Sequence, residues 1–398
     1  MNEKYDSIQN IQYFFVCLLF ASLNFEFFAP FVDNFSVAML VAIIYVLVSL
    51  LTPIKELFSL KNINKQIYSV FAMYILMVLS SIINANDSIF NTTIFLNIIL
   101  FWLILNHCRR DNRVFKKGLL WFSISACSMG ICYLNNIGVS IDAGMRVQMF
   151  GDNSNGIGIK MATGALYLIN YCLNHSPQKH IYKPVYLLML IPMLYLTYAT
   201  ASRTALLIIA IGCITFIILR PSKNKRLKIT WLALGVFMLY IGYTMIQEQD
   251  VLISRMQTTI EDGNTSGRDY IWEKYFCLIA ENPIIGVGFT GANNYAMQVF
   301  YQIKSPHNVL IEVLLYSGIL GLLCFLSLIY YIFRDAWKFF KYFKDLGPLT
   351  TSITLLGIVL SGQALDVKLF WIFAAYTISY QVINKETVRN NYIIRSDS

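Results

Sequence analysis

Charge is scarce in this chain. Only 13% of its 398 residues are Asp, Glu, Lys or Arg, against about 25% in an average soluble domain. So few charges cannot solvate the surface of a globule this large. They are also clumped, which leaves apolar runs long enough to cross a bilayer. A soluble enzyme, a disordered protein and a secreted disulfide scaffold are excluded. Metal-type spacing is missing too. The eight cysteines are scattered, with no Cys-x-x-Cys pair and no Cys/His cluster, and most sit in apolar runs where Cys acts as a small hydrophobe. Neither a structural disulfide, nor a metal, nor a cofactor is expected. The start, MNEKYDSIQN, lacks the small-residue cleavage site of a signal peptide, so the run from Ile11 reads as a first retained span.

What is present is a series of apolar runs. They predict an all-α, polytopic membrane protein built as one domain over 1–398. About twelve spans are expected, near 11–29, 35–52, 66–83, 92–106, 118–134, 157–173, 185–200, 204–219, 229–246, 308–333, 348–365 and 369–383. With the N-terminus inside, 23 of the 31 Lys and Arg fall in inner segments, 7 in outer ones, and Lys160 inside a span. This bias predicts cytoplasmic termini. It also accounts for the net charge of +9 without a nucleic-acid partner. Two outer loops are larger than a mere connection needs, one over 135–156 and a longer one over 247–307.

Four arginines lie on the outer side: Arg146, Arg203, Arg255 and Arg268. Arg203 sits in a short turn between two spans. It either snorkels to lipid headgroups or is a fixed cation for a phosphate, which a guanidinium grips with two parallel N–H donors. In the long loop, Ser266 and Asp269 resemble a capping box, and Asn282-Pro283 is a stop. They predict a short amphipathic helix at the membrane–water boundary, too charged to span. Arg268 at its start either faces water or joins the helix N-terminus in holding an anion. Residues 286–291, GVGFTG, follow no strand of a βαβ unit. They read as a glycine turn that lets backbone approach a ligand or the bilayer. His107, His175 and His180 fall in inner basic segments and read as solvated. His307 is the outer one, either structural or a proton acceptor near neutral pH. The first outer loop adds Asn153, Asn155 and Lys160, the last either snorkelling or meeting an anion.

Together SRTALL around Arg203, GRDYIW and ENPIIGVGF around Arg268, and HNVLIEVLLYSGILGLL around His307 resemble the O-antigen ligase and O-antigen polymerase (Wzy-like) superfamily, over roughly 140–330. RVQMFGDNSNGIG resembles its Arg-then-Gly/Asn stretch. The resemblance implies a GT-C-like helical fold in a bacterial cytoplasmic membrane with an extracytoplasmic site. It implies metal-independent glycan transfer from undecaprenyl pyrophosphate. His307 would be the base. Arg203 and Arg268, with Arg146, Arg255 and Lys160, would hold the pyrophosphate, supported by Asn155 and Asn308. The implied partners are the lipid-linked oligosaccharide, membrane lipids, a chain-length regulator and a flippase. The loop of moderate length favours a polymerase, with a ligase acting on lipid A–core as the alternative. A lipid-linked oligosaccharide flippase or transporter is the reading from another class. It predicts polar groups at mid-membrane rather than at the outer edge.

Overall fold

Helices form where the apolar runs lie, and polar side chains set their ends. The computed structural model describes residues 2–30, 35–53, 65–142, 144–174, 183–219, 268–343, 345–362 and 365–379. Helix α1 spans Asn2–Ser22 and runs into a 3-10 turn at Leu23–Phe25. Next come α2 (Val37–Ser49), α3 (Lys65–Ile83), α4 (Thr92–Arg110) and α5 (Asn112–Leu134). A hairpin of β1 (Val139–Ile141) and β2 (Val147–Met149) precedes α6 (Ser154–Asn174), α7 (Lys183–Ala199) and α8 (Arg203–Leu219). The last described elements are α9 (Arg268–Glu281), α10 (Gly288–Phe300), α11 (Val309–Phe343), α12 (Gly347–Ser361) and α13 (Lys368–Ser379). Ser36, Asn91 and Asp111 cap α2, α4 and α5 by accepting the N–H of Met39, Ile94 and Arg113.

Most expected spans match these helices to within a few residues, but α1 starts at Asn2 rather than 11, α5 at Asn112 rather than 118, and α11 runs on to Phe343 rather than 333. The span over 229–246 lies outside the described residues, and so does the end of 369–383. Four helices are long and apolar enough to cross a membrane: Ser7–Phe25, Gln66–Ile83, Lys117–Leu134 and Val309–Lys341. Val37–Ser49, Pro184–Ala199, Arg203–Leu219 and others are apolar but shorter. Twelve full-length crossings are therefore more than these elements display. Large apolar side chains such as Leu47, Ile75, Leu188 and Leu207 face outward, as lipid-facing side chains do.

Helix α6 is the axis of the bundle, buried along most of its length. Its small residues permit that. A Cβ on Gly158 would lie 2.8 Å from Ser202 Cβ and 2.9 Å from Ala205 Cβ, so α8 packs directly against the α6 backbone. Gly164 makes the same allowance for Met193 of α7 and Ala126 of α5.

The two ends of the bundle are tied differently. At one end Gln66 donates to Asp335 (2.5 Å), Asn170 to Asp345 (3.1 Å), and Arg110 to Thr52 (3.0 Å). These residues all come from segments rich in Lys and Arg. His107 belongs to this end and is buried, not solvated as its basic neighbours suggested. Helix α4 runs on to Arg110, which carries the His107 ring inward against Tyr45, with Nδ1 3.3 Å from the phenol oxygen. His175 and His180 lie outside the described residues.

The opposite end gathers the hairpin, the α7–α8 turn, α9, α10 and the α12–α13 connection. The hairpin falls in 135–156, read from the sequence as an outer loop, and adds two short strands to a chain expected to be all-α. Its register pairs Val139 with Met149 and Ile141 with Val147. Phe150 meets the rings of Phe25 and Phe28 edge-on, pinning the hairpin to the end of α1.

Candidate active site

Helix α9 begins and ends where the sequence predicts, and Asn282 N–H closes its last turn on Leu278 and Ile279 carbonyls. Ser266 of the expected capping box lies outside the described residues. Ile271, Tyr275 and Leu278 are buried, while Phe276 on the neighbouring strip is exposed. Residues at i, i+4 and i+7 share one helix face. Here those are Arg268, Trp272 and Tyr275. Arg268 turns into a cavity of about 390 Å³. Trp272 Nε1–H donates to the Pro306 carbonyl at 2.8 Å, and the Tyr275 hydroxyl donates to the Lys304 carbonyl. One helix face therefore positions both Arg268 and the strand of chain that bears His307.

The glycine segment 286–291 opens with a close backbone contact inside the protein. It approaches another helix. Helix α11 is interrupted at Gly318 (φ 61°, ψ −161°). Val287 N–H donates to the Leu315 carbonyl released there (2.8 Å), and Ile319 N–H donates to Pro283 (2.9 Å). A Cβ on Gly286 would lie 2.5 Å from the Leu315 oxygen, and one on Gly318 2.3 Å from the Ile284 carbonyl. Asn84 and Asn86 at the end of α3 close the turn from behind by donating to the Gly286 and Val287 carbonyls.

His307 lines the same cavity as Arg268. Its backbone is left-handed (φ 50°), a conformation a non-glycine residue keeps only when its surroundings hold it. Asn308 Oδ1 caps α11 by accepting the Leu310 N–H at 2.9 Å. That fixes the residue after His307. Burial, then the nearby Arg268 and Lys304 charges, hold the imidazole below its ordinary value near 6.5. At neutral pH His307 is an unprotonated acceptor.

Arg146 and Lys304 also line the cavity. Arg146 is clamped at the hairpin tip by Asp142, at 2.6 Å from Nη2 and 2.8 Å from Nε. Burial raises the Asp142 carboxyl, but hydrogen bonds and charge from Arg146 outweigh it and leave it below the ordinary carboxylate range. Arg203 opens α8 and is not among the residues that line the cavity. The proton affinity of Arg268 is lowered by burial first, then by Arg203 and Arg146, so three guanidiniums share one neighbourhood. Arg255 lies outside the described residues.

Lys160 meets an anion, and that anion is a carboxylate of the protein itself. It does not snorkel. Its ammonium is fully buried, 2.8 Å from Asp152 Oδ2 and 5.3 Å from the centre of the Phe27 ring. Burial pushes the Asp152 carboxyl up, with Lys160 opposing. Asn153 and Asn155 line the cavity at the start of α6, where Asn153 Oδ1 accepts the Gly156 N–H (2.9 Å).

Sequence reasoning passed over Lys304, Asp152 and Glu26. Glu26 is buried and accepts the Lys368 N–H at 2.8 Å. A lone acid inside the first apolar run was the signal for Glu26. For Asp152 it was an acid eight residues before an intramembrane lysine.

Residues 188–326 match a family model described as O-antigen ligase. Over that stretch the chain is similar to O-antigen ligases. The match runs from α7 into α11 and takes in Arg203, Arg268 and His307, while Arg146 and Lys160 stand before it. The chain is 28% identical over 143 residues to an O-antigen ligase of Pseudomonas aeruginosa, covering 36% of this chain and 32% of that protein. Putative polysaccharide ligases of Rickettsia felis and Rickettsia conorii are each 26% identical, over 179 and 176 residues. These cover 42% and 41% of this chain and 41% and 40% of those proteins. The chain thus spans less than half the length of the curated relatives it matches.

Proposed function

We propose that this chain is a membrane glycan ligase that transfers a glycan from a polyprenyl-pyrophosphate donor to a hydroxyl of a separate acceptor. The sequence favoured a polymerase on loop length. The ligase names of the three relatives weigh more than that length and favour the alternative. The observation that carries the reading is that Arg268, Arg146, Lys304 and His307 line one cavity.

In the proposed reaction the acceptor oxygen attacks the anomeric carbon of the donor sugar. The bond from that carbon to the phosphate oxygen breaks. The pyrophosphate leaves with the electron pair, and the acceptor proton passes to neutral His307. Direct displacement inverts the anomeric centre. Arg268 and Arg146, with Arg203 near them, meet the charge that develops on the leaving group, and the partly enclosed setting strengthens that attraction. A positioned general base contributes about 10²- to 10⁴-fold. Lys160 also lines the cavity, but its side chain is 2% exposed against 22% for Arg146, and it is left out of the pyrophosphate set. The cavity lies at the end whose segments carry few Lys and Arg, which the positive-inside rule puts outside the cytoplasm.

The test is transfer by purified protein given lipid-linked glycan in EDTA and without nucleotide sugar, with and without lipid A–core. A product on the added acceptor, lost in His307→Ala, supports the ligase. Lengthening of the lipid-linked glycan without acceptor makes the chain a polymerase. Movement across vesicles with no new bond makes it a transporter.

A further inference from the structure

We propose that Glu312 is a positioning residue that aims His307 into the cavity by acting through Ser305. The role rests on the proposed function only in naming His307 as the base. The geometry stands by itself. Glu312 lies in the first turn of α11 and is 4% exposed. A buried carboxylate is tolerated there because the helix N-terminus favours negative charge. The Ser305 hydroxyl donates to Glu312 Oε1 at 3.0 Å, and Ser305 Oγ accepts the His307 backbone N–H at 3.1 Å. The Ser305 proton has one defined direction, toward Glu312, so the Ser305 lone pairs turn toward the His307 amide. That amide belongs to the residue with φ 50°.

The other restraints act on the neighbours of His307. Trp272 holds the Pro306 carbonyl, Tyr275 holds the Lys304 carbonyl, and Asn308 caps the helix. The Ser305 oxygen is the contact on the His307 amide itself. Removing the carboxylate frees the Ser305 hydroxyl to rotate, and the left-handed residue relaxes toward ordinary backbone. The ring then leaves its place in the wall, while Arg268, carried on α9, keeps its own.

The test compares Glu312→Ala, Glu312→Gln, Ser305→Ala, Ser305→Thr and the double alanine variant. A displaced base lowers kcat by about 10- to 100-fold. That loss is expected in both single alanine variants, with the donor KM held within about twofold. Gln and Thr keep an acceptor and a hydroxyl, and are expected to retain most of kcat. The double variant is expected to be no worse than either single, since both break one relay. A second readout needs no turnover. The rate at which diethyl pyrocarbonate modifies His307, resolved by peptide mass, is expected to rise at least about threefold in the alanine variants alone. Should Glu312→Ala fail to fold, Ser305→Ala and Ser305→Thr carry the comparison. Additive losses, Gln as damaging as Ala, or an unchanged modification rate overturn the proposal. Wild-type protein that transfers nothing sinks the ligase reading instead, and the modification rates still decide the role of Glu312.

Discussion

Replacing Lys160 by Met separates two functions for the buried ammonium. The Lys160 and Asp152 side chains are each 2% exposed, with 2.8 Å between Nζ and Oδ2. Asp152 Oδ1 is buried with no hydrogen-bond partner, facing the Gly156 backbone where a Cβ would lie 2.5 Å away. Once the lysine goes, the Asn153 backbone still serves the carboxylate but brings no positive charge to it. Removing one partner of a buried pair costs about 3–5 kcal/mol, whereas replacing both by apolar groups of similar size is near neutral. Lys160→Met and Asp152→Leu are each expected to lose about 3–5 kcal/mol. The double variant is expected to fall within about 1 kcal/mol of the parent, a coupling of about 5 kcal/mol or more. Equilibrium unfolding in mixed detergent micelles, followed by tryptophan fluorescence, measures all four corners of the cycle. A Lys160→Met cost below about 1 kcal/mol, joined to a raised donor KM, refutes the reasoning. Lys160 would then be a substrate cation, as the sequence suggested.

Two further predictions follow from the site and its frame. His307 is held below its ordinary value by burial, then Arg268 and Lys304, so the acidic limb of the kcat/KM profile is expected below about pH 6.5. Arg268→Gln removes a cation that disfavours protonation and is expected to move that limb upward; a limb that stays put rules out electrostatic coupling between the two residues. Gly318→Ala places a Cβ 2.3 Å from the Ile284 backbone at φ 61°. Its expected cost is about 1–2 kcal/mol for the left-handed backbone and about 1–3 kcal/mol for the clash. Gly357→Ala meets the movable tip of Ile208 at 2.6 Å. It is expected to lower the melting temperature less, and equal effects would refute the backbone argument.

Hydropathy was enough to locate the apolar helices, because a run of apolar side chains has no other way to satisfy its backbone in a bilayer, whereas α10 (Gly288–Phe300) went unforeseen inside the long outer loop. Helix α9 was legible down to its last residue, because Asn282-Pro283 is a local stop. The cavity was legible only in part. Arg268 and His307 stood out as a cation and an imidazole on the sparsely charged side. Their meeting depends on Trp272 and Tyr275, which a sequence displays only as aromatic residues on an amphipathic helix. The Lys160–Asp152 pair was hidden for another reason. A lysine in a span signals that a partner exists, but not whether the partner is lipid, substrate or a carboxylate eight residues away. The hairpin was missed because two three-residue strands carry too little periodicity to read. The packing partner of the glycine segment was hidden because the break at Gly318 lies thirty residues on inside a run that reads as unbroken helix.

Strain is distributed unevenly along the chain. Among the described residues, the non-glycine positions with positive φ are Ala85, Asn136, Met145, Phe150, Ala201, Tyr301 and His307. All seven fall in the connections at the cavity end. Left-handed backbone there is thus a property of the whole end and by itself does not single out a base. The added fact is that only His307 of the seven lines the cavity. The other six end helices or turn corners, where a sharp reversal needs such a residue. His307 follows Pro306, whose φ is fixed, and precedes the Asn308 cap, so two neighbours with set conformations leave it to absorb the mismatch. A glycine would do so at no steric cost. His307→Gly is therefore expected to preserve or raise stability while abolishing transfer. Unfolding and activity measured on that one variant separate strain kept for the imidazole from strain the turn requires of any side chain. Retained transfer in His307→Gly would show that the imidazole is not what the strained backbone is there to present.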